Sequence, residues 1–417
     1  MAEMTPFERV RSQAILHNAW RKVRENGLQS PCKDTREKIR EFDRDVVRGL
    51  RQIADQLRGI RFRFEPQIGI RKRRAGKTPR PLVVAAVRNR IVQRAILDVL
   101  QLEPAIQEIL STPTSFGGIR ERGVRCAIAT ACRTIEAGAK YYIRSDIQDF
   151  FARIPRLHVL AQIEKQVRDP DFMNLLQAAT DTTLANLDEI GEDAYLFPLR
   201  EIGVAQGSPL SPLLGNILLR ELDLDMNARG ITCLRYIDDL ILFGPNASRV
   251  RKAFESAQRS LGSLGMRAYD PRTDAKKAEE GDVRDGFAFL GCHIGRGSLI
   301  QPVKAAKKKL LVSVKDALAE GRRGIAIASD EGRPKLPQRR YVQALTDVDN
   351  ILKGWGHAFS FCNGRMVFTE LDRKIDKMLS DYKAFAGRYA SGKSKAVHRR
   401  ILGVHLLVDT HYLPLQP

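Results

Sequence analysis

The stretch Cys233-Leu234-Arg235-Tyr236-Ile237-Asp238-Asp239-Leu240-Ile241-Leu242-Phe243 sets two acidic residues between two apolar runs. Two such runs joined by a tight connection are typical of an antiparallel hairpin, with Asp238 and Asp239 at its tip. Aspartate is also common in ordinary turns, because its side chain bonds the local backbone. On these residues alone, a plain hairpin tip and a functional acidic pair are equally good interpretations.

A third carboxylate favours the functional interpretation. Tyr141-Tyr142-Ile143-Arg144-Ser145-Asp146-Ile147 is typical of a strand that carries Asp146 near its end, followed by the aromatic pair Phe150 and Phe151. Three carboxylates brought together repel one another unless a multivalent cation neutralises them. Two Mg²⁺ ions, about 3.5–4 Å apart, are the usual arrangement in phosphoryl transfer, and Mg²⁺ takes few protein ligands, all oxygen. The pattern predicts a two-Mg²⁺ site at Asp146, Asp238 and Asp239.

The block Gly203-Val204-Ala205-Gln206-Gly207-Ser208-Pro209-Leu210-Ser211-Pro212-Leu213-Leu214 lies between these carboxylates in the chain. Gly207 allows the backbone to approach a flat ligand closely. The two prolines predict a rigid entry into a helix that continues over 213–224. A simple loop with Ser211 as the N-cap of a core helix would explain the serine and the prolines, but it leaves Gln206-Gly207 unexplained.

Composition limits the class of protein. The chain has 417 residues, with 70 Lys and Arg against 49 Asp and Glu, a formal net charge of +21. This length predicts two or three domains, and the charge favours a polyanionic partner, nucleic acid before membrane. No apolar run approaches the roughly 20 residues that span a bilayer. The N-terminus has no secretory pattern, so we expect a cytoplasmic protein without a membrane partner. The six cysteines show no zinc-ribbon spacing.

Hydrophobic periodicity predicts the organisation of the rest. Helical spacing recurs over 7–60, 88–102, 124–138 and 156–198, with the densest basic segment at 71–81. Residues 287–294 are typical of one strand. The chain beyond Pro302, to about Leu407, is typical of basic helices. The predicted fold class is therefore α+β to about residue 300, followed by an α-helical region.

The combination of these motifs resembles the palm of reverse transcriptases, most closely the bacterial lineage that includes group II intron reverse transcriptases. The resemblance extends from about residue 14 to residue 380. Further stretches that are similar to this family are Asn18–Asn26, Gly76–Leu82, Val87–Ala95, Ser260–Met266, Phe289–Gly291 and Asn350–Trp355.

The resemblance implies a right-hand polymerase: a helical N-terminal extension over 1–65, fingers and palm with an antiparallel sheet over 66–300, and a basic helical thumb and C-terminal region over 301–417. It implies an RNA-directed DNA polymerase that makes cDNA from dNTPs. The implied catalytic residues are Asp146, Asp238 and Asp239. The implied metal-binding residues are these three and Ile147. The implied dNTP-binding residues are Lys77, Arg80, Phe151, Gln206, Gly207, Lys276 and Lys277. The implied nucleic-acid contacts are Arg73, Arg74, Lys307 and Lys308.

Some implied roles have alternatives. Phe151 matches the aromatic gate that collides with a ribose 2′-hydroxyl, although a lone aromatic is more often part of a core. By the same resemblance Arg80, with Lys77 or a neighbour, matches the residues that clamp the triphosphate, and a planar guanidinium suits phosphate oxygens. One of Lys276 and Lys277 is expected near the pyrophosphate, and the sequence does not choose between them.

The sequence also departs from the intron enzymes. Ser115–Arg122 keeps their fingers motif only in part, Ile237 stands where they usually carry Ala, and neither a Cys/His endonuclease module nor a Val-Thr-Gly element is found. These departures favour resemblance to the stand-alone "unknown group" and abortive-infection reverse transcriptases, which implies a structured non-coding RNA template and phage defence. The alternatives are an RNA-binding maturase of group II intron origin, and untemplated or protein-primed DNA synthesis.

Overall fold

The computed structural model describes residues 4–30, 32–74, 77–228, 230–330 and 339–409, without the side chains of Arg74, Lys77 and Asp409. The chain divides into two compact units, Met1–Asp282 and Val283–Pro417. Each unit has its own hydrophobic core. Among the described residues, no helix combines the length and the apolar character needed to cross a membrane.

The first unit begins with four helices: α1 (Pro6–Val10), α2 (Gln13–Leu28), α3 (Lys33–Arg44) and α4 (Val46–Arg58). Thr5 caps α1 by accepting a hydrogen bond from the Glu8 N–H, and the Glu8 carboxylate accepts one from the Thr5 N–H. Their apolar faces bury Leu16, Trp20 and Ile39. The helical periodicity predicted over 7–60 is therefore confirmed.

A basic two-stranded ribbon follows. It consists of β1 (Ile68–Arg74) and β2 (Lys77–Val84), paired antiparallel with Gly69 opposite Val83. The chain continues through α5 (Val87–Leu100), α6 (Pro104–Leu110), β3 (Ser115–Phe116) and α7 (Val124–Glu136).

The centre of the first unit is a five-stranded sheet in the order β3-β5-β6-β4-β7. Its remaining strands are β4 (Tyr141–Asp146), β5 (Thr232–Tyr236), β6 (Asp239–Gly244) and β7 (Glu279–Asp282). All neighbours pair antiparallel except β3 and β5, which are parallel. Leu240 to Phe243 are buried on both faces of β6. The predicted hairpin thus becomes the interior of the sheet.

The other helices of this unit are α8 (Phe150–Arg153), α9 (Arg156–Glu164), α10 (Pro170–Thr180), α11 (Leu187–Ile190), α12 (Ser211–Leu218), α13 (Arg220–Ala228) and α14 (Ala247–Ser263). The helix predicted over 213–224 is two helices, because α12 ends before Leu219. The simple-loop alternative with Ser211 as N-cap does not hold: Leu210 has that position, and the Ser211 hydroxyl donates to the Ala205 carbonyl at 2.7 Å.

The second unit opens with three antiparallel strands in the order β10-β9-β8. They are β8 (Phe287–Phe289), β9 (Cys292–Gly295) and β10 (Leu299–Pro302). The single strand predicted over 287–294 is wrong, because the chain reverses at Leu290 and Gly291, with φ of +48° and +79°. Glycine adopts this left-handed conformation without steric cost.

The α-helices described in the rest of the second unit, over 303–330 and 339–409, are α15 (Lys304–Ala328), α16 (Tyr341–Ala358), α17 (Met366–Ala390) and α18 (Lys395–Leu402). Leu310, Val314 and Leu318 recur at helical spacing on α15 and are buried against the other helices. The predicted α+β class, an antiparallel sheet with helices followed by a helical region, is confirmed.

Candidate active site

The acidic pair lies at a two-residue turn. Tyr236 and Asp239 are the last paired residues of β5 and β6, so Ile237 and Asp238 form the turn itself. Ile237 has φ of +62°, a conformation that is a genuine outlier for a β-branched residue. The turn therefore holds strained backbone immediately before Asp238.

The end of β4 meets this turn. Asp146 is directly opposite Asp239 in the antiparallel pairing of β4 with β6. The N–H of Ile147 donates to the carbonyl of Asp238 at 3.0 Å, and the N–H of Tyr269 donates to the carbonyl of Asp146 at 3.1 Å. Sheet register thus brings all three predicted carboxylates to one place. Ile147 itself is buried and contributes its backbone to this junction.

Burial and electrostatic repulsion raise the pKa values of the acidic residues. Burial, then repulsion from Asp238 and Asp239, raises the pKa of Asp146 to about 7. Burial, then Asp238, raises the pKa of Asp239 to about 6. Burial also raises the pKa of Asp238. The nearby positive charges of Lys277 and Arg144 offset only part of the rise in the pKa of Asp146. The neighbouring cationic side chains therefore do not neutralise the three carboxylates.

The residues fit a divalent cation by donor chemistry. The Oδ1 atom of Asp146 is buried and has no hydrogen-bond partner. Carboxylate oxygens are the ligands that Mg²⁺ prefers, and a cation would relieve the repulsion that raises these pKa values. Within the described ranges, no three His, Cys, Asp or Glu side chains already stand at ligand spacing. Asp146, Asp238 and Asp239 are the residues that could hold such an ion.

The loop around Gln206 joins β2 to this centre. The N–H of Val83 donates to the Gln206 carbonyl at 2.9 Å, and the Nε of Arg80 donates to the Gln206 Oε1 at 2.6 Å. The charge of Arg80 also acts on Asp238, lowering its pKa against the effect of burial. Gly207 has φ of +128° and lies against the Val83 carbonyl, where a Cβ would be 2.6 Å from that oxygen. Arg80 therefore connects the Gln206 loop to the acidic turn, and Gly207 lies against the strand that carries Arg80.

Phe151 lies beside the same loop. Its carbonyl accepts a hydrogen bond from the N–H of Val204 at 2.8 Å. Its ring is half-buried, whereas the neighbouring Phe150 ring, 5.3 Å away between centroids, is fully buried. Of the two aromatics, Phe150 belongs to the core, and Phe151 packs against that core while remaining partly exposed.

The two lysines differ in position. Lys276 is exposed, whereas Lys277 is half-buried, with its Nζ 4.9 Å from the centre of the Tyr269 ring. Since Tyr269 bonds the backbone of Asp146, Lys277 is the lysine held at the acidic centre.

The predicted nucleic-acid residues are more scattered. Arg73 is exposed on β1, while the side chains of Arg74 and Lys77 lie outside the described residues. Lys307 is half-buried and Lys308 exposed on α15 of the second unit.

Sequence reasoning missed a buried polar group next to the turn. The Arg235 side chain is 1% exposed and pairs with Asp223, also 1% exposed, at 2.7 Å. A lone arginine within the apolar run 233–243 was the available signal, since a buried charge needs a partner.

This arrangement of fold and site is that of a nucleic-acid polymerase palm. Residues 70–294, just over half of the chain, match the reverse transcriptase (RNA-dependent DNA polymerase) family. The chain belongs to this family.

Several known proteins are similar to this chain. Protein YkfC of Escherichia coli (strain K12) is 28% identical over 251 residues, which cover 51% of this chain and 62% of YkfC. The group II intron-encoded protein LtrA of Lactococcus lactis subsp. cremoris is 26% identical over 149 residues, 35% of this chain and 23% of LtrA. The chain thus spans less than two thirds of either relative. A structure of apo telomerase from Candida Tropicalis matches with a TM-score of 0.45 at 13% identity, over 78% of this chain and 62% of that one.

Proposed function

We propose that this protein is an RNA-directed DNA polymerase that makes cDNA from dNTPs. The observation that carries the proposal is the meeting of Asp146, Asp238 and Asp239 at the end of an antiparallel strand pair, next to Arg80 and Gln206. A protein that only binds RNA has no use for three half-buried acids that repel one another.

Asp146, Asp238 and Asp239 would hold two Mg²⁺ ions. Ions held there would supply positive charge that lowers the pKa of an attacking 3′-hydroxyl and offsets the charge of the leaving pyrophosphate, the chemistry that phosphoryl transfer needs. The Ile147 N–H and the Asp238 carbonyl keep the two carboxylate-bearing segments in register. Reaction geometry is therefore fixed by backbone pairing before any substrate binds.

Arg80 and Gln206 would bind the incoming nucleotide. The guanidinium of Arg80 already bonds Gln206, and its remaining N–H donors suit triphosphate oxygens. Gly207 keeps the loop surface flat beneath a base pair. The exposed part of Phe151 would meet the sugar and exclude a 2′-hydroxyl, which selects dNTPs.

Lys277, rather than Lys276, would donate a proton to the departing pyrophosphate. Its burial beside Tyr269 and its charge acting on Asp146 support this assignment. The site needs a proton donor there because the leaving group gains negative charge.

The template proposed is a structured non-coding RNA, and the role proposed is anti-phage defence in the cytoplasm. Resemblance to the stand-alone reverse transcriptases supports both, and the net charge of +21 supports an RNA partner. Arg73, Arg74, Lys307 and Lys308 would contact the nucleic-acid backbone.

The test is to purify the protein with its bound nucleic acid and to sequence that material. The comparison is the variant with both Asp238→Asn and Asp239→Asn. A matched control changes two exposed acids, Asp188→Asn and Glu192→Gln, which alters the net charge equally. We expect one abundant RNA in all three preparations, and complementary DNA in the wild type and the control only. Incorporation of dNTPs near the wild-type level by the double Asn variant would refute the polymerase.

A maturase is the second candidate, favoured by the similarity to the intron-encoded LtrA. Under that function, intron RNA co-purifies without DNA, and the double Asn variant supports splicing as well as the wild type does. DNA that matches no RNA would instead indicate untemplated or protein-primed synthesis.

A further inference from the structure

Arg235 places a guanidinium in the interior beside the acidic turn. Its Nε and Nη2 donate to the two carboxylate oxygens of Asp223 at 2.9 and 2.7 Å. Its Nη1 donates to Asn216 Oδ1 and to the carbonyl of Ile237, both at 2.9 Å. Its Nη2 also donates to Ser115 Oγ at 2.7 Å. A guanidinium has five N–H donors, so Arg235 has none to spare.

The four partners lie on four different segments. Ser115 is on β3, Asn216 on α12 and Asp223 on α13, while Ile237 is in the turn. A buried ion pair is by itself weak evidence of stabilisation, because desolvation offsets the attraction. A fully satisfied network of this kind does restrict geometry. The effect of this network therefore lies in what it holds in place.

What it holds is the strained residue. The N–H of Ile237 donates to the Phe116 carbonyl at 3.2 Å, and its carbonyl accepts from Arg235. Gly117 lies against its side chain, where a Cβ would be 2.8 Å from Ile237 Cγ1. Backbone strain persists only where the surroundings over-determine it. Here the N–H, the carbonyl and the side chain of Ile237 are all constrained.

We propose that Arg235 is a positioning residue for the acidic centre. The carbonyl of Ile237 belongs to the peptide that leads into Asp238, so the hydrogen bond from Arg235 fixes the plane of that peptide. It thereby aims the carboxylates of Asp238 and Asp239. Asp223, Asn216 and Ser115 hold the guanidinium in the orientation that this bond requires. The inference rests on the proposed function, because that function requires the carboxylates of Asp238 and Asp239 to bind a cation.

The test removes the ion pair without leaving a lone buried charge. The double variant Arg235→Gln with Asp223→Asn is compared with a control at a different, partly buried ion pair, Arg9→Gln with Glu103→Gln. Two quantities are measured on the full chain: Mn²⁺ affinity by calorimetry, and kcat and KM for dNTP incorporation on a primed RNA. Loss of an outer-shell partner costs about 10- to 100-fold in metal affinity or activity. We expect losses of that size in Mn²⁺ affinity and kcat for the first variant, and near-wild-type values for the control.

A third substitution separates positioning from packing. Ile237→Gly removes the strain, since glycine adopts positive φ freely. In that background, we expect the double variant to lose at most about threefold in Mn²⁺ affinity, because the turn no longer needs the clamp. If the double variant does not fold, Arg235→Lys takes its place, since it keeps the charge beside Asp223 and loses the fixed fork of donors.

The outcomes are distinct. Unchanged Mn²⁺ affinity in the double variant would overturn the positioning role, and so would an equal loss with and without Ile237→Gly. If the wild type incorporates no dNTP, the proposed function fails, while the Mn²⁺ affinities still decide the role of Arg235.

Discussion

Replacing Gly207 by alanine should force the Gln206 loop away from β2. The added Cβ would lie 2.6 Å from the Val83 carbonyl oxygen. That oxygen belongs to a strand paired with β1 and cannot rotate away as a flexible side chain would. The Val83 N–H also holds the Gln206 carbonyl at 2.9 Å. Relief of the clash therefore requires strand and loop to separate.

The cost follows from three contributions. A non-glycine residue in a conformation like that of Gly207, with φ of +128°, costs about 1–3 kcal/mol. Loss of the Val83–Gln206 hydrogen bond adds about 0.5–1.5 kcal/mol. The reduced entropy of the unfolded chain returns about 0.4–1 kcal/mol. Together, they predict that Gly207→Ala lowers the free energy of unfolding by roughly 2–3 kcal/mol.

Gly265→Ala is the matched control, because Gly265 has φ of +71° and nothing within 4 Å of an added Cβ. It should lose about 1–2 kcal/mol to strain and regain about 0.4–1 kcal/mol from the unfolded chain, a net loss of about 1 kcal/mol. Urea unfolding measures both values, and steady-state incorporation measures KM for dNTP. We expect KM to rise only in the Gly207 variant, because Arg80 bonds Gln206. Equal destabilisation of the two variants, or an unchanged KM in both, would refute the reasoning.

Three further predictions concern the acidic centre. In metal-free buffer at pH 8, Asp146→Asn should raise the free energy of unfolding by about 1–3 kcal/mol. The reason is that the pKa of Asp146 is raised to about 7, so ionisation of this acid destabilises the fold. Chemical denaturation measures the change, and a loss of stability would contradict the prediction. Added Mg²⁺ should then stabilise the wild type more than the variant. Phe151→Val should raise the relative incorporation of rNTPs about tenfold or more, measured with competing nucleotides, and unchanged discrimination would remove its role as a gate. Lys277→Gln should lower kcat about 100-fold, whereas Lys276→Gln should change it little; equal effects would refute the assignment.

The acidic hairpin could be predicted because its determinants are local. Apolar runs on either side of Asp238 and Asp239 fix two strands and a tight connection, and Asp146 ends a strand of the same kind. Hydrophobic pattern also gives the helical region after Pro302 correctly. These features depend on neighbours in sequence, which periodicity describes.

The remainder depends on contacts that a sequence does not display. Arg235 finds its partners 12, 19 and 120 residues away, and no spacing rule connects it to Asp223, Asn216 or Ser115. The positive φ of Ile237 arises from the same contacts and contradicts the ordinary preference of the residue. The reversal at Leu290 was missed for the opposite reason, since its apolar neighbours on both sides have the periodicity of one continuous strand.

The residues that hold the strained turn all come before it in the chain, and this order has a consequence for folding. Ser115, Asn216 and Asp223 all precede Arg235 in the chain, so each of them emerges from the ribosome before the turn does. The strained turn can therefore close on a prepared surface as it emerges. β7, whose first residue is Glu279, pairs with β4 only afterwards, which leaves one edge of the nascent sheet open. In synthesis as in refolding, contacts at such long separation form slowly. Until β7 covers that edge, the chain is most exposed to aggregation.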